Sequence, residues 1–180
     1  MQRYGLLYIW KSTQSITPVY ITDATHLLLA CKQLINNQYI VNGYGGKCMN
    51  NESIQQCIVR ECNEECGLHV TIDQLQSAGI IHQKFINTTN NNDSTDTIIA
   101  PHTREIHIYT TNQYNGTLID TIEMKSHKWY SINELSTLYE HMWPSDSLWL
   151  HHVLYNKYVT GTITLNNFKL IDHNIVAHQR

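Results

Sequence analysis

Charge is sparse in this chain and nearly balanced. Of 180 residues, 15% are charged, and the formal net charge is -3 with histidine neutral. That excludes a strongly basic nucleic-acid coat and a polybasic membrane-surface binder. No apolar run approaches the roughly 18 residues of a membrane span. The opening Met1 to Trp10 is too polar for a signal peptide and lacks a small-residue cleavage site, so it reads as a first strand. Paired cysteine spacing is missing as well. The five cysteines are an odd number without a Cys-x-x-Cys, which argues against a disulfide framework and for a reducing compartment. The cytoplasm is the expected location, with room for a mitochondrial or nuclear fraction. No internal repeat is seen. What remains is a length that suits one domain and a hydrophobic content of 42%, enough for a core without staples.

The pattern along the chain is β-rich. Leu6 to Trp10, Pro18 to Ile21 and Leu27 to Cys31 read as strands joined by turns. A glycine cluster, Asn42-Gly43-Tyr44-Gly45-Gly46, lets backbone approach something closely. From Ser53 to Cys66 the period becomes helical, with Ile54, Ile58, Cys62 and Cys66 four residues apart, and Gly67 stands where a helix should end. Ala78 to Ile81 and Ile106 to Thr110 read as strands around a polar, Asn-rich insertion near 87–103, expected to be a surface loop. Ile132 to Tyr139 suggests a helical turn, Trp149 to Val159 a second amphipathic helix, and Thr162 to Leu165 with Phe168 to Ile171 a final hairpin. A mixed sheet with flanking helices, an α+β chain, is the expected class.

The stretch from Gly46 to Leu68 carries the chemistry. Glu61, Glu64 and Glu65 stand at i, i+3 and i+4, on one helical face and away from the stripe through Ile58, Cys62 and Cys66. Three carboxylates in one patch repel one another; a hard divalent cation reverses that cost, and Mg²⁺ prefers oxygen ligands shared with phosphates. Arg60 can brace a carboxylate through a bidentate contact. Taken alone, the three acids describe an ordinary solvated acidic face more readily than a metal site. Their surroundings decide otherwise. Gly46, Glu52, Arg60, Glu61, Glu64, Glu65 and Gly67 follow the spacing Gly, five residues, Glu, seven residues, Arg-Glu, two residues, Glu-Glu, one residue, Gly. A chance match to seven such positions is on the order of one in a million at average residue frequencies. This resembles the box of the Nudix hydrolases, with Cys62 and Leu68 at its aliphatic positions.

The resemblance implies a Nudix fold, an α/β/α sandwich around a mixed β-sheet, as a single domain over 1–180. It implies hydrolysis of a nucleoside diphosphate linked to another moiety by water attack on phosphorus, with Mg²⁺ or Mn²⁺ bound. Glu61, Glu64, Glu65 and the Gly45 carbonyl would ligate the metal, and Glu52 and Arg60 would orient the carboxylates. Lys47 and the Gly45-Gly46 backbone would border the phosphates.

The likeness runs past the box. Asn42-Gly43-Tyr44-Gly45-Gly46-Lys47 and Met142-Trp143-Pro144-Ser145-Asp146-Ser147 are similar to segments of those Nudix hydrolases that degrade oxidised purine nucleoside triphosphates such as 8-oxo-dGTP. This implies a purine pocket of Asn42, Tyr44, Phe85, Trp143, Pro144, Ser145 and Asp146. Asn42 and Asp146 would read the base edge and Trp143 would stack on it, a contact of about 1–3 kcal/mol. Lys32 would reach phosphate, and Glu123 would be a further metal ligand. Ser145 replaces an aspartate of that group, so Asp146 is expected to stay ionised, acting only as an acceptor and favouring guanine-type edges. Asn36 or Ile35, and Val41, replace two pocket aromatics.

Other readings compete. The substrate could be a nucleotide sugar, a dinucleoside polyphosphate, a capped RNA end or a methylated purine nucleotide; alternatively, the chain binds a nucleotide without cleaving it. Retention of Glu52, Arg60, Glu61, Glu64 and Glu65 speaks for catalysis. A nucleotide substrate, no polymer or membrane partner and a monomer are expected. Zinc at Cys57, Cys62, Cys66 and His69 is not, because no standard spacing supports it. His151 and His152 read as surface residues, and the sequon at Asn87 is discounted without a secretory signal.

Overall fold

The computed structural model describes residues 1–11, 24–34, 39–86, 88–90, 97–99, 101–166 and 169–180. The expected strand at Pro18 to Ile21, the pocket candidates Ile35 and Asn36, and most of the Asn-rich run lie outside them.

In chain order the elements are β1 (Gln2–Lys11), β2 (His26–Gln33), β3 (Tyr39–Asn42), β4 (Tyr44–Lys47) and α1 (Ile54–Cys66). There follow β5 (Leu68–His69), β6 (Gln76–Phe85), β7 (Thr88–Asn90), β8 (Thr97–Ile99), β9 (His102–Thr111) and β10 (Asn115–Gly116). Then come β11 (Met124–Ser131), α2 (Leu135–Leu138), α3 (Leu150–Leu154), β12 (Lys157–Asn166) and β13 (Lys169–Gln179). Short 3-10 turns flank α2 and precede α3.

The main sheet runs β11-β2-β1-β9-β6-β12-β13, with β3 paired to β2 and β4 to β1. β1 lies parallel to β9 and β6 parallel to β12, while the other pairings are antiparallel, so the sheet is mixed. Successive side chains of a strand point to opposite faces. In β1, Leu7 and Ile9 join Leu28 and Ala30 of β2 beneath α1. Tyr8 and Trp10 join Leu27 and Leu29 on the other face, under α2 and α3. The continuous apolar run of β1 is therefore the mark of a strand covered on both faces. This is the expected α/β/α arrangement.

Helix α1 forms where the four-residue period placed it. Ser53 caps it reciprocally: its hydroxyl accepts from the Gln56 N–H at 3.1 Å, and Gln56 Oε1 accepts from the Ser53 N–H at 2.8 Å. Such caps contribute about 1 kcal/mol. Gly67 ends the helix at φ 72°, a left-handed conformation that suits glycine.

Two expectations need correction, and strand β11 was not anticipated. The helix expected over Trp149 to Val159 is only α3, because Asn156 turns left-handed at φ 55° and Lys157 already begins β12, whose Val159 pairs Gly79 of β6. Strand β11 has no clean alternation, since its register shifts between Lys125 and Lys128 and Ser126 is left-handed. Around the Asn-rich run, β-branched Thr88, Thr89, Ile98 and Ile99 pair as a small ladder where loop was expected.

Candidate active site

The site forms where β4 meets α1. Gly45 and Gly46 pair with Leu6 and Gly5 of β1. Gly45 sits at φ 147°, and a Cβ there would run into the Gly5 carbonyl. A Cβ on Gly46 would stand 2.6 Å from the Glu61 carboxylate. These glycines thus let the carboxylates of α1 lie directly on the backbone of β4.

Arg60 organises the acids. Its Nε and Nη2 donate to the two oxygens of Glu52 at 2.9 and 3.0 Å, and its Nη1 donates to Glu61 at 2.7 Å and Glu64 at 2.8 Å. The Arg60 fork holds the Glu52 carboxyl below the usual carboxylate range, and these partners raise the Arg60 pKa.

Glu65 departs from the shared acidic face expected for the three acids. It is buried, its Oε2 accepting the Gly45 N–H at 2.7 Å and its Oε1 lying 2.6 Å from Lys32 Nζ. Burial raises its pKa although Lys32 opposes the shift. Lys32 also donates to the Gly45 carbonyl at 3.2 Å. An ammonium thus stands between two of the expected metal ligands. The donors here are all oxygens, as a hard divalent cation requires. By donor type Glu61, Glu64, Glu65 and the Gly45 carbonyl suit such an ion, while Arg60 and Lys32 engage them in this structure.

Two neighbouring cavities share Tyr4, Lys32 and Gly46 in their walls. One, of about 760 Å³, is walled by Glu61, Glu64, Glu65, Glu123 and Lys47. Glu123, the candidate outside the box, therefore faces the same chamber. The other, of about 210 Å³, is walled by Asn42, Phe85, Trp143 and Asp146, with Gln83 and Arg104. Phe85 supplies the expected aromatic wall, stacked on His102 at 4.6 Å with Arg104 over its ring.

Not every expected residue lines these cavities. Tyr44 is fully buried on the α1 side of the sheet, bonded to His127 Nδ1 at 2.9 Å, because its place on β4 turns it from the pocket. Pro144 is exposed. Ser145 is buried behind the wall, accepting from Gln83 Nε2 at 3.3 Å and donating to Asp146 at 3.5 Å. Val41 packs in the core on the cavity side of the sheet. Gln83 and Arg104, which also wall this cavity, were not expected, because their chain positions carry no local motif.

Burial works against the ionised Asp146 that was expected. Burial pushes its pKa up to about 8, against the lowering effect of the Ser145 hydroxyl and the Trp143 backbone. Desolvation alone does what a second aspartate was expected to do. Near neutral pH the protonated carboxyl offers one donor and one acceptor. Its Oδ2 and Asn42 Oδ1 are buried without a hydrogen-bond partner, next to the cavity they flank.

A Nudix-domain family model matches residues 13–165, and the chain belongs to the Nudix hydrolases, which act on phosphoric anhydrides and generally use divalent metal ions. Among curated proteins it is 28% identical over 169 residues to the oxidized purine nucleoside triphosphate hydrolase of Danio rerio, covering 94% of each chain. The Mus musculus protein of that name is 27% identical over 166 residues, with 92% of each covered. Among solved structures, a mutator MutT protein from Bacillus halodurans matches with a TM-score of 0.71 at 20% identity, covering 97% of each chain, a likeness of fold.

Proposed function

We propose that the protein hydrolyses oxidised purine nucleoside triphosphates of the 8-oxo-dGTP type to the monophosphate and pyrophosphate, cleansing the nucleotide pool. The carrying observation is the pairing of an acidic chamber with a small aromatic cavity bearing Asn42 and Asp146. The cavity's roughly 210 Å³ falls below the ~300–1,000 Å³ of drug-sized ligand pockets and suits one base. The names of the zebrafish and mouse relatives support the same substrate class.

In this reading Glu61, Glu64, Glu65, Gly45 and Glu123 would hold Mg²⁺ or Mn²⁺, which would supply neutralisation of phosphate charge and activation of water. The chain's own residues do the rest. Arg60 and Glu52 fix the carboxylates. Lys32 and Lys47, both in the wall of the acidic chamber, would face the phosphates. Trp143 and Phe85 exclude water around the base, and Asn42 and neutral Asp146 read its edge. The protein acts as a monomer in the cytoplasm, without polymer or membrane partners. No helix among the described residues is long and apolar enough to cross a membrane.

The test is pyrophosphate release with Mg²⁺ from 8-oxo-dGTP, 2-hydroxy-dATP, O6-methyl-dGTP and dGTP, with Glu65→Gln as the blank. Faster turnover of a modified purine than of dGTP, lost in the variant, is expected. Turnover of none of them sinks the reading.

A further inference from the structure

Beside the catalytic chamber lies a second cluster with a different chemistry. Cys48 follows β4, Glu52 precedes the helix cap, and Cys57 lies one turn into α1. Their ligand atoms, two sulfurs and a carboxylate oxygen, all lie within 4.8 Å of one another. Cys57 is buried, Cys48 and Glu52 are half-buried, and Cys57 Sγ is 3.6 Å from the Gly46 carbonyl. A cavity of about 550 Å³, walled by Arg3, Lys47, Cys48 and Met49, opens the Cys48 side of this cluster to solvent. Tetrahedral zinc with bonds of about 2.3 Å to sulfur and 2.0–2.2 Å to oxygen holds its ligand atoms roughly 3.4–3.8 Å apart. The three atoms reach that spacing by moving about 1 Å or less. Two thiolates select a soft cation over Mg²⁺, whereas the neighbouring chamber is all oxygen. The two clusters therefore differ in the cations that their donor atoms suit.

They share one carboxylate. Both oxygens of Glu52 are engaged by Arg60, and Oε2 also accepts the Met49 N–H at 2.9 Å. A cation on Cys48 and Cys57 takes a Glu52 oxygen from Arg60. Arg60 is the residue that holds Glu61 and Glu64. We propose that Cys48, Glu52 and Cys57 form a binding site for one thiophilic divalent cation, Zn²⁺ in kind, whose occupancy loosens Arg60 from Glu52 and inhibits the neighbouring hydrolytic site. The inhibitory half rests on the function proposed above; the binding half does not.

The test titrates Cd²⁺ into the whole protein, reduced with a non-thiol reductant, and follows the ultraviolet thiolate-to-metal band. A band saturating at one equivalent, with the intensity of two thiolates, is expected. Cys48→Ser should weaken binding roughly 10–100-fold or more and leave at most half the band, and Cys57→Ser should do the same. Cys31→Ser should retain the full band. Should Cys57→Ser fail to fold, the half-buried Cys48 carries the test alone. No band, or a full band in Cys48→Ser, overturns the site. In the hydrolysis assay with excess Mg²⁺, Zn²⁺ should inhibit the wild type and lose that effect in Cys48→Ser. Equal inhibition of both, or relief by more Mg²⁺, overturns the coupling. Absence of hydrolysis from every substrate would fell the proposed function, while the cadmium band still decides the site.

Discussion

Replacing Asp146 by asparagine isolates the effect of a buried acid kept neutral. The carboxyl is 3% exposed, and burial lifts its pKa to about 8, against an ordinary 3.8 that it recovers on unfolding. Between those values the folded state holds a proton that the unfolded state has released. A raised carboxyl pKa therefore gives stability that is fully present below about pH 4 and is lost as pH rises through about 8. The loss runs at about 1.4 kcal/mol per pH unit, a slope that does not depend on the exact upper pKa. Asparagine offers the same one-sided donor and acceptor pair without titrating. The stability difference between Asp146→Asn and the wild type should thus move in the variant's favour by about 3 kcal/mol from pH 5 to pH 7. Urea unfolding of both proteins at pH 5, 6 and 7 measures it. Other titrating groups cancel in the difference, and any fixed cost of the amide appears only as an offset. Parallel stability curves would refute the neutral Asp146.

Other consequences follow from the same geometry. Ionising Asp146 removes its donor, so turnover of 2-hydroxy-dATP relative to 8-oxo-dGTP should fall between pH 7 and 9; a flat ratio of kcat/KM counts against base reading by this acid. Arg60→Ala frees Glu52, Glu61 and Glu64 together and should lower metal affinity or kcat by roughly 10–100-fold, read from Mg²⁺ dependence. Lys32→Met leaves the Glu65 carboxyl buried without its ion pair and should cost about 3 kcal/mol near neutral pH, measured by denaturant unfolding. Gly46→Ala places a methyl against the Glu61 carboxylate and should raise the Mg²⁺ requirement while leaving the fold's circular dichroism unchanged.

The helix that carries Glu61, Glu64 and Glu65 was readable because every cue is local: a four-residue apolar period, a following glycine and fixed acid spacing. The core strands β1 and β2 were readable for a similar reason, since strands buried on both faces are continuous apolar runs. Strand β11 was not, because its bulge breaks the alternation a sequence reader relies on. Nor was the brevity of α3, where the left-handed Asn156 overrides an amphipathic pattern.

By itself the sequence determined the acid-bearing helix and the family, because these depend on spacing within about twenty residues. Tertiary structure decided the rest. It turned Tyr44 from the pocket into the core, sank Glu65 against Gly45 and Lys32, and set Cys48 and Cys57 against Glu52. It also raised the pKa of Asp146 by burial, which no neighbour in the chain could predict. Ionisation follows the exclusion of water, and the walls that exclude it here come from β1, β6, β9 and the Trp143 segment, far apart in sequence and joined only by the fold.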